Sequence, residues 1–342
     1  MHTRLLDYLC DPSDGSDLRL SAKTVVIDDQ VETGDLVSAN GAIYPIRNGV
    51  PRFLPDAETS DSVTSFGDEW NHFNYDGFKA NWLKHIAQGA FGSTDYFKGK
   101  LIVDCAAGSG MHTKWMSEYG ASRIIALELS HSVDGVMQEN LRGIDNVDIV
   151  QCSIDAPPIK AHSINGLVIC NAAIQHTPSV KKTAEALWRM VGPGGELSFS
   201  CYLKYPNDPV WMARWLLVAT PLRAILSRCS FDTILGYAKL MARLRMIPVI
   251  GPLLEKAQFV IRGDVPPGEH YQERLLSQSV LNTFDWYGSH QYQHHLSAAQ
   301  LATICDELTP KPSEILNLDA YYKRPLPPGL PLRLKAAPAP GI

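Results

Sequence analysis

The stretch LIVDCAAGSGMHT, residues 101–113, decides the fold. Leu101 to Cys105 form an apolar run of strand length. A turn of small residues follows (Ala106, Ala107, Gly108, Ser109, Gly110), and a helix is predicted from Met111. Small residues let a ligand approach the backbone closely, and the free N–H groups at a helix start add donors. Outward from this turn the same kind of run recurs: RIIALE (123–128), VDIVQ (147–151), GLVICN (166–171) and ELSFSC (196–201). Helix-compatible segments separate the runs, among them HTKWMSEYG (112–120) and SVKKTAEALWRMV (179–191). Strand alternating with helix predicts an α/β fold, a Rossmann-like doubly wound and mostly parallel sheet.

The acid before the glycines separates two cofactors. A dinucleotide fingerprint, G-x-G-x-x-G, has no acid at the strand end. Here the order is Asp104-x-Ala106-x-Gly108-x-Gly110. A carboxylate at that place repels a pyrophosphate and attracts the ammonium group of S-adenosylmethionine (SAM). The next strand ends in Glu128, 18 residues past Gly110. A carboxylate there can accept from both hydroxyls of a ribose. The expected cofactor is SAM, and a nicotinamide dinucleotide is disfavoured.

The order of segments carries a resemblance. DCAAGSG, ALELS, VDIVQCSIDAPPI, GLVICNAAIQHT and VGPGGELSFS follow one another between residues 101 and 202. This stretch resembles the class I SAM-dependent methyltransferases, in the branch that includes the ubiquinone and menaquinone C-methyltransferases. The resemblance implies that Asp104, Ala106, Gly108 and Gly110 meet the methionine part of SAM. It implies that Glu128 holds the ribose, that Ser153 and Ile154 border the adenine, and that Asn171 and Ala172 line the floor. It places His176 just past the fourth strand, beside methyl transfer. Three positions depart from the family pattern. Ala106 stands for its first glycine, Ser153 for an acid (Asp155 lies two residues on), and Gly166 for an Asp. These changes motivate a rival reading, a methyltransferase fold that binds or activates without catalysing.

Residues 1–55 read as a small β-rich module with turns at Asn40-Gly41 and Asn48-Gly49. YPIRNGVPRFLP (44–55) gives it a resemblance to the zinc-ribbon-like module that activates some methyltransferases. Of four thiolates only Cys10 is present, with Ser13, Gly15 and Ser38 where partners would stand, so no zinc is expected there. Residues 56–98 form a linker and an aromatic-rich helical segment. Phe66 and Trp70 are expected in interdomain core, and Tyr75 is the aromatic assigned to the site. The SAM-binding core is set at 99–205, a basic helical insert or lid at 206–262, and the rest of the methyltransferase domain at 263–323. The proline-rich tail, 324–342, is expected to form no packed structure.

The stretch 209–262 holds eight Lys or Arg and two acids, a charge of +6 that leaves −11 on the rest of a chain of net charge −5. In 231–246, Ile234, Tyr237, Ala238, Met241 and Leu244 fall on one helical face. The insert suits a lid for a small-molecule or lipid-like acceptor, with peripheral contact to a membrane surface. Downstream, NTFDWYGSHQYQHHL (282–296) brings His290 and Tyr292 as candidate catalytic groups beside His176. No metal is expected, because His294 and His295 are adjacent and no acid stands at ligand spacing from the histidines.

Composition bounds these readings. With 342 residues, 45% apolar and 20% charged, the chain is neither wholly disordered nor a minimal domain. Its negative charge gives no reason to expect nucleic acid. Seven cysteines without a C-x-x-C pair suit a reducing compartment. The first residues have no signal-peptide core, and the apolar insert is broken by Arg214, Pro221, Arg223 and Arg228. A cytoplasmic location is expected.

Overall fold

The computed structural model describes residues 1–54, 61–73, 75–288, 290–323 and 330–339. The proposed linker lies outside the described residues as far as residue 60, and from Asp61 onward it is helix. Among the described residues, the N-terminal module is an antiparallel sheet of β1 (Leu18–Leu20), β2 (Gly34–Ser38), β3 (Ile43–Arg47) and β4 (Val50–Pro51). Helices α1 (Asp61–His72) and α2 (Lys79–Trp82) lead into the main domain. There β5 (Leu101–Cys105), β6 (Arg123–Glu128), β7 (Val147–Gln151), β8 (Leu167–Cys170) and β9 (Glu196–Phe199) pair in parallel, in the order β9-β8-β5-β6-β7. Helices α3 (Met111–Glu118), α4 (Val136–Leu141) and α5 (Val180–Met190) connect them. The fold is the Rossmann-like α/β fold of class I methyltransferases.

Both faces of this sheet are covered, which is why its strands read as unbroken apolar runs. Side chains alternate between two cores. Ile102, Ile124, Ala126, Leu167 and Ile169 pack with Trp82, Trp115 and Met116. Val103, Ile125, Leu127, Val168 and Cys170 pack on the other face with Leu187 and Trp188. Gly166 has a steric cause here. A Cβ at that position would lie 2.0 Å from the carbonyl oxygen of Leu101 on the neighbouring strand.

After β9 come β10 (Tyr202–Leu203) and the insert: α6 (Pro209–Arg214), α7 (Thr220–Leu226), α8 (Phe231–Arg245) and α9 (Ile250–Lys256). Helix α10 (Tyr271–Tyr287) packs against α8 through Val280 and Phe284. The buried face of α8 is Ile234, Leu235, Ala238 and Ala242, so the helix is rolled from the expected face and Met241 and Leu244 are only half-buried. Strand β11 (His295–Leu296) pairs with β10, and α11 (Ala298–Glu307), β12 (Glu314–Leu316) and α12 (Leu318–Tyr321) follow.

The unpacked tail is a correction. Leu332–Lys335 form β13, inserted antiparallel between β9 and β12, with Leu332 and Leu334 fully buried. Only one of the six prolines of the tail, Pro331, adjoins the strand, and LRLK itself alternates as a strand does.

The N-terminal module sits beside β7. Arg52 bridges to Gln151 in parallel, and Phe53 N–H donates to the Gln151 carbonyl at 2.9 Å. Buried Asp148 accepts from His2 N–H at 2.8 Å and from Arg123 Nη2 at 2.9 Å. Leu5, Leu9, Leu36 and Ile46 share a core with Val150 and Ile159. At the proposed thiolate positions, Ser13 Oγ donates to Asp11 Oδ1 at 2.6 Å, and Asn40 joins Ser38 to Asp11 and Asp14. Among the described residues no helix is long and apolar enough to cross a membrane.

Candidate active site

The turn after β5 is built on left-handed backbone. Gly108 and Gly110 have φ of 60° and 79°, and Ala106 takes φ 59°. A side chain in that region costs about 1 kcal/mol or more, the penalty of replacing the family's glycine. Gly108 N–H donates to Glu128 Oε2 at 2.7 Å and Ser130 N–H to Oε1 at 2.8 Å. Two backbone donors thus fix the carboxylate at the tip of β6. Each oxygen keeps a lone pair for a further donor, which fits the paired hydroxyls of a ribose. Asp104 is buried behind the turn and accepts from Thr113 Oγ1 at 2.6 Å. Burial pushes its carboxyl up to about 7, and neighbouring Glu128 adds to the rise.

A cavity of about 530 Å³ opens over the carboxyl ends of the strands, the place where open α/β sheets bind ligands. One half is lined by Ala106, Ala107, Ser109, Glu128, Leu129, Ser153, Ile154, Asp155 and Asn171. Asp155, two residues after Ser153, accepts from Ser153 Oγ. The other half is lined by Phe66, Glu69, Trp70, Tyr75, His176, Leu281, Asp285 and Tyr292. Ala106, Glu128, Ser153, Ile154, Asn171, His176 and Tyr292 therefore line one cavity. Asp104, Gly108, Gly110 and His290 stand behind the wall. At 108 the constraint is an aromatic ring: a Cβ there would come within 2.7 Å of Trp70. Gly110 packs against Leu141 and Met137. Phe66 and Trp70, expected in interdomain core, face the cavity because α1 lies across the strand tips.

The expectation that no acid stands beside the histidines fails. His290 Nε2 is 3.4 Å from Glu69 Oε2 and 3.4 Å from Asp285 Oδ1. Asp285 Oδ1 is 3.8 Å from His176 Nε2, and its other oxygen accepts from Tyr202 O–H. Phe66 stacks on His290 with centroids 4.1 Å apart. Sequence reasoning missed Glu69, Asp285 and Tyr202 because they come from α1, α10 and β10. Only Asp285 carried a signal, five residues before His290 and near the end of the helix that precedes it. Tyr287 and His294 do not join the cluster: Tyr287 O–H donates to Gln258, and His294 Nε2 pairs with the Thr177 carbonyl at 3.0 Å.

The two imidazoles differ. Burial first, and then nearby His290, lower the His176 pKa to about 4 against the pull of Asp285. His176 Nδ1 lies 3.0 Å from the Tyr292 carbonyl. A carbonyl only accepts, so Nδ1 carries the proton and Nε2 presents its lone pair. At His290 burial also lowers the pKa, but Asp285 and Glu69 outweigh it and hold the ring at about 9.

Residues 103–199 match the family model described as methyltransferase domain, and the cofactor of that domain is SAM. Ubiquinone biosynthesis O-methyltransferase from Erwinia tasmaniensis is 24% identical over 39% of this chain and 51% of its own length. The enzyme of that name from Pseudomonas fluorescens is 27% identical over 32% of this chain and 47% of its own. The chain thus spans about half the length of the curated relatives it matches. A SAM-dependent methyltransferase structure from Mesorhizobium loti aligns at 22% identity and a TM-score of 0.29, covering 32% of this chain and 48% of that one.

Proposed function

We propose that this chain is a SAM-dependent methyltransferase that methylates a hydroxyl group of a small, lipid-like acceptor. The observation that carries the reading is a single cavity with two chemistries. Glu128, Ser153, Ile154 and Asp155 line one half with groups suited to ribose and adenine. His176 turns an unprotonated Nε2 into the other half, beside Asp285. His176 takes the proton of the acceptor hydroxyl, and the oxygen bonds to the methyl carbon. The carbon–sulfur bond breaks with its electron pair staying on sulfur, which leaves a methyl ether and S-adenosylhomocysteine. Alignment of oxygen, carbon and sulfur is the other contribution of the protein. Phe66, Trp70, Tyr75 and Leu281 give the acceptor an apolar wall. The names of the O-methyltransferase relatives support a ring hydroxyl carrying an apolar tail.

The insert supports contact with a membrane surface. Val210, Leu216, Leu217, Ile225, Val249 and Leu253 expose most of their surface within the segment of charge +6. Apolar side chains with a basic surround suit an anionic interface. The N-terminal module reads as a zinc-ribbon-like platform whose thiolates have given way to the Asp11–Asn40 hydrogen-bond network.

The test is incubation with methyl-labelled SAM and polyprenyl-substituted phenols, followed by mass spectrometry. A methyl ether formed by wild type and lost in His176→Ala supports the proposal. SAM binding with no transfer to any hydroxylated acceptor makes the chain a non-catalytic binding or activator protein.

A further inference from the structure

We propose that Glu69, Asp285 and His290 form a divalent-cation site in the inner wall of the cavity. Among the described residues this is the one group of three acids or imidazoles whose ligand atoms converge, all within 4.8 Å of one another. Glu69 and His290 are 2% and 3% exposed, yet Glu69 Oε2 and His290 Nε2 have no hydrogen-bond partner. The single N–H of Nε2, 3.4 Å from each of two oxygens, cannot point at both. Leaving buried polar atoms unmatched is costly.

The spacing fits a metal better than a proton. A tetrahedral ion with bonds of about 2.1 Å to nitrogen and oxygen has ligands about 3.4 Å apart. Both His290-to-carboxylate distances have that length. Two carboxylates and one imidazole match the charge and donor preference of Zn²⁺ or Mn²⁺. Outer contacts hold two of the three ligands in place, as metal sites require. His290 Nδ1 meets Ser65 Oγ at 3.1 Å, and Arg223 Nη2 donates to the His290 carbonyl at 2.8 Å. Tyr202 O–H donates to the second oxygen of Asp285. Asp285 and Glu69 also line the cavity, so a cation held by them would lie at the edge of the acceptor half.

The site stands on its own geometry, and its use rests on the methyltransferase reading. A cation there would accept the acceptor oxygen as fourth ligand and lower the pKa of its hydroxyl. His176 Nε2, 3.8 Å from Asp285 Oδ1, would then receive a more acidic proton.

The experiment is equilibrium dialysis of chelator-treated full-length protein against zinc chloride or manganese chloride, with SAM affinity measured in parallel by calorimetry. Wild type should bind one cation per chain at this site. Glu69→Gln and His290→Gln should each weaken that cation at least tenfold while SAM affinity stays unchanged. Cys10→Ser should leave cation binding as in wild type. Cobalt(II) should give the intense visible bands of a tetrahedral ion, lost in both site variants. Circular dichroism and SAM binding certify that the variants are folded. No cation on the wild type, or equal binding by folded variants, overturns the proposal. Cation bound with no SAM affinity leaves this site standing and sinks the methyltransferase reading alone.

Discussion

At the scale of single residues, Glu128 is held by two backbone donors before any ligand arrives. Its role is therefore positional and strict. Replacing a carboxylate that accepts from two hydroxyls costs about 1.5–3 kcal/mol. Calorimetry on Glu128→Ala should show SAM binding weakened about tenfold or more, and unchanged affinity would refute the assignment. Asp104 makes a prediction about pH. Its carboxyl is raised from 3.8 to about 7 by burial, so the native protein holds a proton there that the unfolded chain has released. The stability from that proton is complete below about pH 4 and is lost as pH rises through about 7. Asp104→Asn should flatten that part of the curve of unfolding midpoint against pH. Positive charge on SAM bound across the turn from Asp104 would favour its ionised form. SAM binding near pH 6 should thus release a proton, visible as a buffer-dependent heat that Asp104→Asn abolishes. For His176→Ala, loss of a positioned base should lower turnover by about 10²–10⁴ with SAM affinity intact.

At the scale of elements, β13 and α7 make the sharpest claims. Leu334 is fully buried in the strand that joins β9 to β12. Leu334→Ala should cost about 2–5 kcal/mol in denaturant unfolding, whereas an unpacked tail would give no change. Helix α7 contributes Arg223, whose guanidinium donates to the carbonyls of Trp286 and Gly288 at 3.1 Å and of His290 at 2.8 Å. Arg223→Ala should lower turnover at least tenfold without changing SAM affinity, and equal rates would detach α7 from the site. The five parallel strands were legible because each is a short apolar run between helices, a pattern that survives without tertiary information. β13 was hidden by flanking prolines, whose local bias outweighed a four-residue alternation. The cofactor half of the cavity was legible because its residues follow the strand tips in chain order. Glu69 and Tyr202 were not, since nothing local distinguishes an acid or a tyrosine that packing will bury beside an imidazole.

At the scale of the whole molecule, net positive charge and most of the exposed large apolar side chains among the described residues fall in 209–262. Protein should bind vesicles of anionic lipid at low salt and be released as ionic strength rises, because surface attraction is screened within about 10 Å at 0.1 M. Sedimentation with neutral vesicles should show weaker binding, and indifference to lipid charge would sink the idea. The grip of Arg223 then acquires a mechanical meaning. One planar cation donates to the carbonyls of Trp286, Gly288 and His290, so the insert is tied directly to the segment that carries the acid–imidazole cluster. Whatever surface seats the insert also sets the bearing of His290. A substrate embedded in a bilayer and the same substrate dispersed in detergent would meet differently tuned catalysts, and the ratio of their rates would report the stiffness of that one arginine contact.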